Sequence, residues 1–420
     1  MTSRQSRTVV AAITALACLI LAAPAVAVAA VMAPDSVDTK KDCKPLTRFA
    51  TFNASLNGVA AGEVRSRLAS GADPQMRNVA EVVQRVVPDV LLINEFDYEP
   101  GGVSAELFRD NYLEESWNGS TPASYPYYFV APSNTGIPSG FDLNNNGAIG
   151  GGDDAFGFGL FPGQYGMVVY SKYPILTDEV RTFQHFLWKD MPDSLLPTDW
   201  YSPEEQEVFR LSSKSHWDVP IKLPGRKPVH FLVSHPTPPT FDGPEDRNGR
   251  RNHDEIRFWA DYVSGGRHAA YIYDDNGGHG GLGRGQDFVI AGDQNADPYD
   301  GDSVDDAILQ LLDHPRINAS SPPESAGAVE AAALQGGANR SHTGPHAQDT
   351  ADFADGAPGN LRADYVLPSA TLGILDSAVF WPVQADPLFR LTGVFTPALA
   401  PIFFPTSDHR LVWVDVRTGR

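Results

Sequence analysis

Phe288-Val289-Ile290-Ala291-Gly292-Asp293-Gln294-Asn295 sets a short apolar run directly before side chains with chemistry to offer. Four apolar residues ended by glycine read as a buried strand, so Asp293 and Asn295 sit at a sheet rim. The layout recurs along the chain. Strands are expected over 48–53, ending on Asn53; over 89–94, with Glu95 at the carboxyl end; and over 229–235, ending on His235. Others are expected over 166–171, over 362–367 with Asp364 inside, and over 411–416, which Asp408 and His409 precede. Strand ends sharing one rim bring these acids, amides and histidines together. Singly each is ordinary turn chemistry, but the set is not. Hard oxygen donors with imidazoles and amides, and no cysteine cluster, suit Mg²⁺ or Mn²⁺ phosphoester chemistry rather than structural zinc.

Between the strands, 74–87 places Met76, Val79, Ala80, Val83 and Val86 at helical spacing behind Pro74, and Pro88 stops it. A second helix is expected where Asn252 and Glu255 form a capping-box pattern and Gly265 follows as a stop. Gly-rich or polar segments at 133–164, 274–286 and 318–360 read as long loops, in keeping with 38 Gly and 34 Pro in 420 residues. No repeat or change of composition marks a boundary. The expectation is one α/β domain over 44–418 with long loops at one rim.

The apolar content of 42% supports a sizeable core. A net charge of −20 argues against a protein that holds duplex DNA chiefly by counterion release. At the amino terminus, Arg4 and Arg7 precede an apolar run, Pro24, and the small-residue stretch 25–30. This is the layout of a cleaved secretory signal over 1–30, followed by a linker over 31–43, and it implies export to the cell envelope or beyond with no membrane insertion afterwards. Loss of Cys18 with the signal leaves Cys43 alone and excludes an intramolecular disulfide.

In order along the chain, Thr51-Phe52-Asn53, 89–95, GMVVYSKYP at 166–174, Val233-Ser234-His235, 292–295, Arg362-Ala363-Asp364-Tyr365-Val366-Leu367 and Ser407-Asp408-His409 resemble the endonuclease/exonuclease/phosphatase superfamily. The resemblance implies a four-layer α/β/β/α sandwich, two mixed sheets face to face, with a divalent-metal site at the rim. By it, Glu95 is the principal metal ligand with Asn53 beside it, and Asp408 holds that metal or a second one. Asp293 orients or deprotonates the attacking water, and Asn295 bonds the phosphoryl oxygens. Asp364 orients His409, which contacts the phosphate or moves a proton, and His235 protonates the leaving group. Pro236-Thr237-Pro238-Pro239 departs from the usual leucine-containing continuation, which leaves the branch open.

Independently of the family, 142–153 reads as an EF-hand-type loop, with Asp142, Asn144, Asn146 and Asp153 at positions 1, 3, 5 and 12 and Gly147 at 6. Weak structural Ca²⁺ binding is expected there. Ser215-His216-Trp217-Asp218, 246–253 and 339–343 read as polar, basic loops, and Arg247, Arg250 and Arg251 are candidates to clamp phosphate, against the reading that they pair with nearby acids. The aromatic stretch 389–404 reads as a packed, proline-broken loop rather than a lipid-facing lip. Together these describe an exported, monomeric, metal-dependent hydrolase of phosphomonoesters or small organic phosphodiesters. Extracellular nuclease, sphingomyelinase-like phosphodiesterase and Ca²⁺-stabilised binding protein stand as alternatives, and nucleic acid is the less favoured substrate.

Overall fold

The computed structural model describes residues 46–418. The expected signal, the linker, Cys18 and Cys43 lie outside the described residues, which fall within one unit, Lys44–Arg420. In chain order the strands are β1 (Leu46–Leu56), β2 (Val90–Phe96), β3 (Tyr127–Phe129), β4 (Met167–Ser171), β5 (Arg181–Thr182), β6 (His216–Ile221), β7 (Val229–Ser234), β8 (Asp287–Asp293), β9 (Ala351–Asp352), β10 (Asn360–Leu361), β11 (Asp364–Pro368), β12 (Ile374–Val379) and β13 (Val412–Arg417). One sheet runs β12-β13-β1-β2-β4-β3, a second β11-β8-β7-β6-β5, and β9 and β10 form a small ladder. Both large sheets are mixed: β1 and β2 pair in parallel, as do β7 and β8, among otherwise antiparallel neighbours.

Alternation along the strands divides the core into layers. Phe49, Leu92 and Val169 from the first sheet meet Val233, Val289 and Val366 from the second in one buried cluster. On the outer faces, Ala50, Ile93 and Tyr170 pack with the helix Pro74–Val86, while Leu232, Ile290 and Leu367 pack with the helix Arg247–Ser264. The result is the α/β/β/α sandwich, and burial on both faces is why these strands read as continuous apolar runs. Asp73 caps the first helix by accepting the Met76 N–H at 3.0 Å, ahead of Pro74 in its first turn.

Two expectations are corrected. The helix ending at Gly265 begins at Arg247, so Asn252 and Glu255 lie inside it and form no capping box. Both are fully buried because they tie loops to the helix. Asn252 Nδ2 donates to the carbonyls of Thr237 and Gln294 at 2.8 and 2.9 Å, and the Glu255 carboxylate accepts the N–H groups of Ser213 and Thr237, each at 2.6 Å. The supposed basic loop at 215–218 is for the most part β6, all of it buried. Its polar residues are satisfied inside: His216 Nδ1 meets Ser212 Oγ at 2.6 Å, and Asp218 meets His230 Nδ1 at 2.7 Å and the Tyr262 hydroxyl at 2.6 Å.

Strand ends of both sheets meet at one rim through Asn94. Its Oδ1 accepts the Asp293 N–H at 3.2 Å and the Thr51 hydroxyl at 3.3 Å, and its Nδ2 donates to the Ser234 carbonyl at 3.3 Å. Glycine is required at 292, where φ is +148° and a Cβ would lie 2.0 Å from the Ser234 carbonyl oxygen.

Candidate active site

At that rim opens a cavity of about 2130 Å³. Glu95, His235, Asp293, Asn295, Asp408 and His409 all line it, with Asn53 and Asp364 held directly behind. The backbone aims several of these side chains. Three residues of β1, 54–56, run against two of β2 past the Asn53–Asn94 pair, a bulge, and Ser55 and Glu95 adopt left-handed backbone with φ of +48° and +56°. Simple alternation would send Glu95 to the opposite face from Asn94, and the bulge turns it back toward the rim. Asn295, just past β8, is also left-handed, with φ of +50°. Backbone held in such regions is characteristic of functional sites.

Two hydrogen-bonded groups form the floor. In the first, Asn53 Nδ2 donates to Glu95 Oε1 at 3.1 Å and to Asp293 Oδ2 at 3.0 Å, and Asn57 Nδ2 donates to Glu95 Oε2 at 2.9 Å. In the second, Asp364 Oδ2 meets His409 Nδ1 at 2.8 Å and accepts the Thr350 hydroxyl at 2.8 Å. The other His409 nitrogen, Nε2, lies 3.6 Å from Asp293 Oδ2, and His235 Nε2 lies 3.4 Å from the same oxygen. Asn295 donates its N–H to Asp293 Oδ1 at 2.9 Å and one amide hydrogen to the Pro236 carbonyl at 3.1 Å, which leaves its other amide hydrogen available.

Charge states follow from these surroundings. Burial would lower His409, but the Asp364 and Asp293 carboxylates raise it well above the ordinary histidine range, so it is held as a cation. Burial would raise Asp293, but the charge of His409, then the hydrogen bond from His235, pull it below the usual carboxylate range. Burial, followed by the Lys214 charge, lowers His235 to about 4. The same surroundings thus favour a proton on His409 and disfavour one on His235.

The oxygen donors fit a hard divalent cation. Enclosure, then the like charge of Asp408, raises Glu95, a repulsion that a divalent cation held by these carboxylates would relieve. Asp293, Asp364 and His409 also offer ligand atoms within 4.8 Å of one another, although the hydrogen bond to Asp364 already engages His409 Nδ1.

Other expected residues lie elsewhere or are already engaged. Arg251 is buried, lines the cavity and braces loops by donating from Nε and Nη2 to the carbonyls of Leu211, Phe156 and Arg210, which leaves Nη1 as its uncommitted nitrogen. Arg247 lines the cavity but pairs with Glu245, while Arg250 is not among the lining residues. In the 142–153 loop, Asp142 accepts the N–H groups of Asn146 and Gly147 at 3.0 and 2.7 Å, and Asn146 Oδ1 accepts that of Ala148 at 2.8 Å. Asn144 Oδ1 accepts the Asn146 N–H at 3.1 Å. Closing the loop falls to Asp154, not Asp153: Asp154 is buried and accepts from Leu143 and Gly150 at 2.8 and 2.7 Å, whereas Asp153 is exposed.

Three residues of the site escaped the sequence reading. Asn57 lies four residues past Asn53, and the amide-rich end of that strand was a usable signal. Thr350 and Lys214 gave none. Lys214 is 7% exposed, lines the cavity, and makes no side-chain hydrogen bond or ion pair among the described residues. Burial lowers its pKa, while Glu255, Glu95 and Asp293 work to keep it charged.

The model of the Endonuclease/Exonuclease/phosphatase family matches residues 50–409. No curated protein matches by sequence. Among solved structures the chain is similar to an endonuclease/exonuclease/phosphatase from Beutenbergia cavernae, at 17% identity over 89% of this chain and 72% of that one, with a TM-score of 0.49. It is also similar to an endonuclease/exonuclease/phosphatase family protein from Leptotrichia buccalis, at 12% identity over 88% and 99% and a TM-score of 0.43. Sphingomyelinase C from Streptomyces griseocarneus is similar at 14% identity over 88% and 99%, with a TM-score of 0.44.

Proposed function

We propose, from the premise that this chain belongs to the endonuclease/exonuclease/phosphatase family, that it is a secreted, divalent-metal-dependent hydrolase of phosphomonoesters or small organic phosphodiesters. The observation that carries this reading is the buried cluster on the cavity floor in which His409 Nδ1 is hydrogen-bonded to Asp364 and its Nε2 lies 3.6 Å from Asp293, carboxylates that favour the charged imidazole. Such a pair can supply the acid and the base that in-line attack on a phosphoester uses. Export rests on the residue pattern over 1–30.

Glu95 and Asp408, with Asn53 beside them, would hold the metal, which when bound supplies charge neutralisation to the phosphoryl group. Asp293 is ionised and placed to align an attacking water and accept its proton. Protonated His409 can hydrogen-bond a phosphoryl oxygen or hand its proton to the leaving oxygen, with Asp364 fixing its ring. The unused amide hydrogen of Asn295 and the Lys214 ammonium stabilise charge as it develops on the non-bridging oxygens.

Purified mature protein, stripped of metal and then given Mg²⁺, Mn²⁺ or Ca²⁺, should regain turnover on a phosphomonoester or a phosphodiester. Glu95→Ala should lose at least 100-fold of that metal-dependent rate. Equal rates in the variant remove Glu95 from the metal site, and no turnover of any ester, an oligonucleotide included, leaves the binding-protein alternative. Calcium at 142–153 belongs to the same proposal. Asp142→Ala should abolish a Ca²⁺-dependent rise in melting temperature seen in the parent, and an unaltered Ca²⁺ response removes the ion from this loop.

A further inference from the structure

Above the polar floor the cavity mouth is apolar. Phe158, Leu160, Phe241, Tyr299, Leu399 and Phe403 all border the cavity that holds Glu95 and His409, and they come from well-separated stretches of the chain. Their exposures are 54, 63, 83, 62, 42 and 36%. Single exposed apolar residues are ordinary, but a set gathered around one opening marks the place of an apolar ligand. The Phe395 ring stacks on Phe403 with centroids 5.2 Å apart, which adds to that surface.

Phe241 is held there by its surroundings. It has left-handed backbone, φ +65°, a conformation that bulky residues rarely adopt. Asn248, in the first turn of the helix Arg247–Ser264, clamps both sides of it: Nδ2 donates to the Thr240 carbonyl at 2.7 Å, and its N–H donates to Asp242 Oδ2 at 2.6 Å. A strained, clamped and exposed ring at the mouth of a catalytic cavity is built to meet something outside the fold.

The charges disfavour a polyanion as that ligand. Of the cationic side chains lining the cavity, Arg67 is paired with Asp73 at 2.9 Å, Arg247 with Glu245, and Arg251 commits Nε and Nη2 to backbone carbonyls. Among the described lysines and arginines of the lining, Lys214 is the one with no hydrogen bond or ion pair, on the floor. Glu63, Asp153, Asp300 and Asp302 line the same cavity. A strand of nucleic acid is held by neutralising phosphate after phosphate, and this opening offers little unpaired positive charge for that among its carboxylates.

We infer that the substrate carries a single phosphoester joined to a bulky alkyl or aryl group, the phosphate on the Lys214 floor and the apolar group against the Phe158, Leu160 and Phe241 walls. This rests on the hydrolase reading above and names its substrate class. An ester dissolved in water and an amphiphile presented by a bilayer share that chemistry.

The test uses the full mature chain with metal on p-nitrophenyl alkyl phosphodiesters from methyl to octyl, beside an oligonucleotide. Since one fully buried methylene is worth up to about fourfold, kcat/KM should rise at least tenfold from methyl to octyl and exceed that for the oligonucleotide. Combining F158S, L160S and F241S should cut the octyl-to-methyl ratio at least fivefold. A flat profile in the parent, an unchanged ratio in the variant, or a preference for the oligonucleotide overturns the inference while leaving the hydrolase reading intact. If no ester turns over, the hydrolase reading fails, and binding of octylphosphonate against methylphosphonate decides the subsite: at least tenfold tighter octyl binding supports it, equal affinity overturns it. Phosphatidylcholine cleaved faster in vesicles than as dispersed short-chain lipid identifies the bilayer source, and the reverse identifies the dissolved one.

Discussion

Replacing His409 by alanine is expected to lower kcat on any accepted phosphoester by about a thousandfold or more. Positioned acid–base groups contribute typically 10²–10⁴, and His409 is also the imidazolium nearest Asp293. The residue is 5% exposed and lies between two carboxylates, so its removal leaves Asp293 and Asp364 facing each other without the intervening charge. Some loss of melting temperature therefore accompanies the loss of rate, and circular dichroism at the assay temperature separates the two. A pH profile gives a second readout. Because the carboxylates raise His409, its protonated form, and the stability that form contributes, is fully present below the unfolded value near 6.5 and is lost only as pH rises through the higher folded value. Asp364→Asn removes the largest raising cause, so the alkaline limb of kcat should move to lower pH. A limb unmoved by Asp364→Asn, or parental kinetics in His409→Ala, contradicts the assignment.

Lys214→Met is expected to reduce kcat/KM about a hundredfold while leaving the melting temperature unchanged or raised. The two effects have one origin. A buried ammonium without a hydrogen-bonded partner is unfavourable until an anion arrives, so the resting fold gains when it is replaced by a side chain of similar length, and the phosphoryl transition state loses one of its stabilising cations. The backbone at 214 is held independently, its carbonyl accepting the Asn134 N–H at 2.8 Å, so the loop should keep its course. Loss of stability without loss of rate would make Lys214 structural.

Asn53, Glu95, His235, Asp293, Asn295, Asp364, Asp408 and His409 were legible before any coordinates because each stands at or near the end of a run that can only be a buried strand. Strand ends of packed sheets converge whatever the loops do. The order of short motifs then identified the family, and with it the sandwich. Glu95 was legible as a residue, but the left-handed turn that aims it depends on a bulge between two strands far apart in the chain. Arg251 looked like a phosphate clamp because composition records its charge and not the three carbonyls that surround it. His216 and Asp218 looked like loop because a polar pair in a strand is tolerated only when distant partners satisfy it.

By itself, then, the sequence determined the principal buried strands, the presence of two long helices and the set of acids, amides and histidines at strand ends, since periodicity and chain order are local properties written residue by residue. Only the tertiary structure sets carboxylates around His409 and Lys214 beside His235, leaves Lys214 without a hydrogen bond or ion pair among the described residues, and gathers apolar rings around the opening. Those properties are sums over neighbours hundreds of residues away, and the same imidazole is raised or lowered by which charges the fold sets beside it.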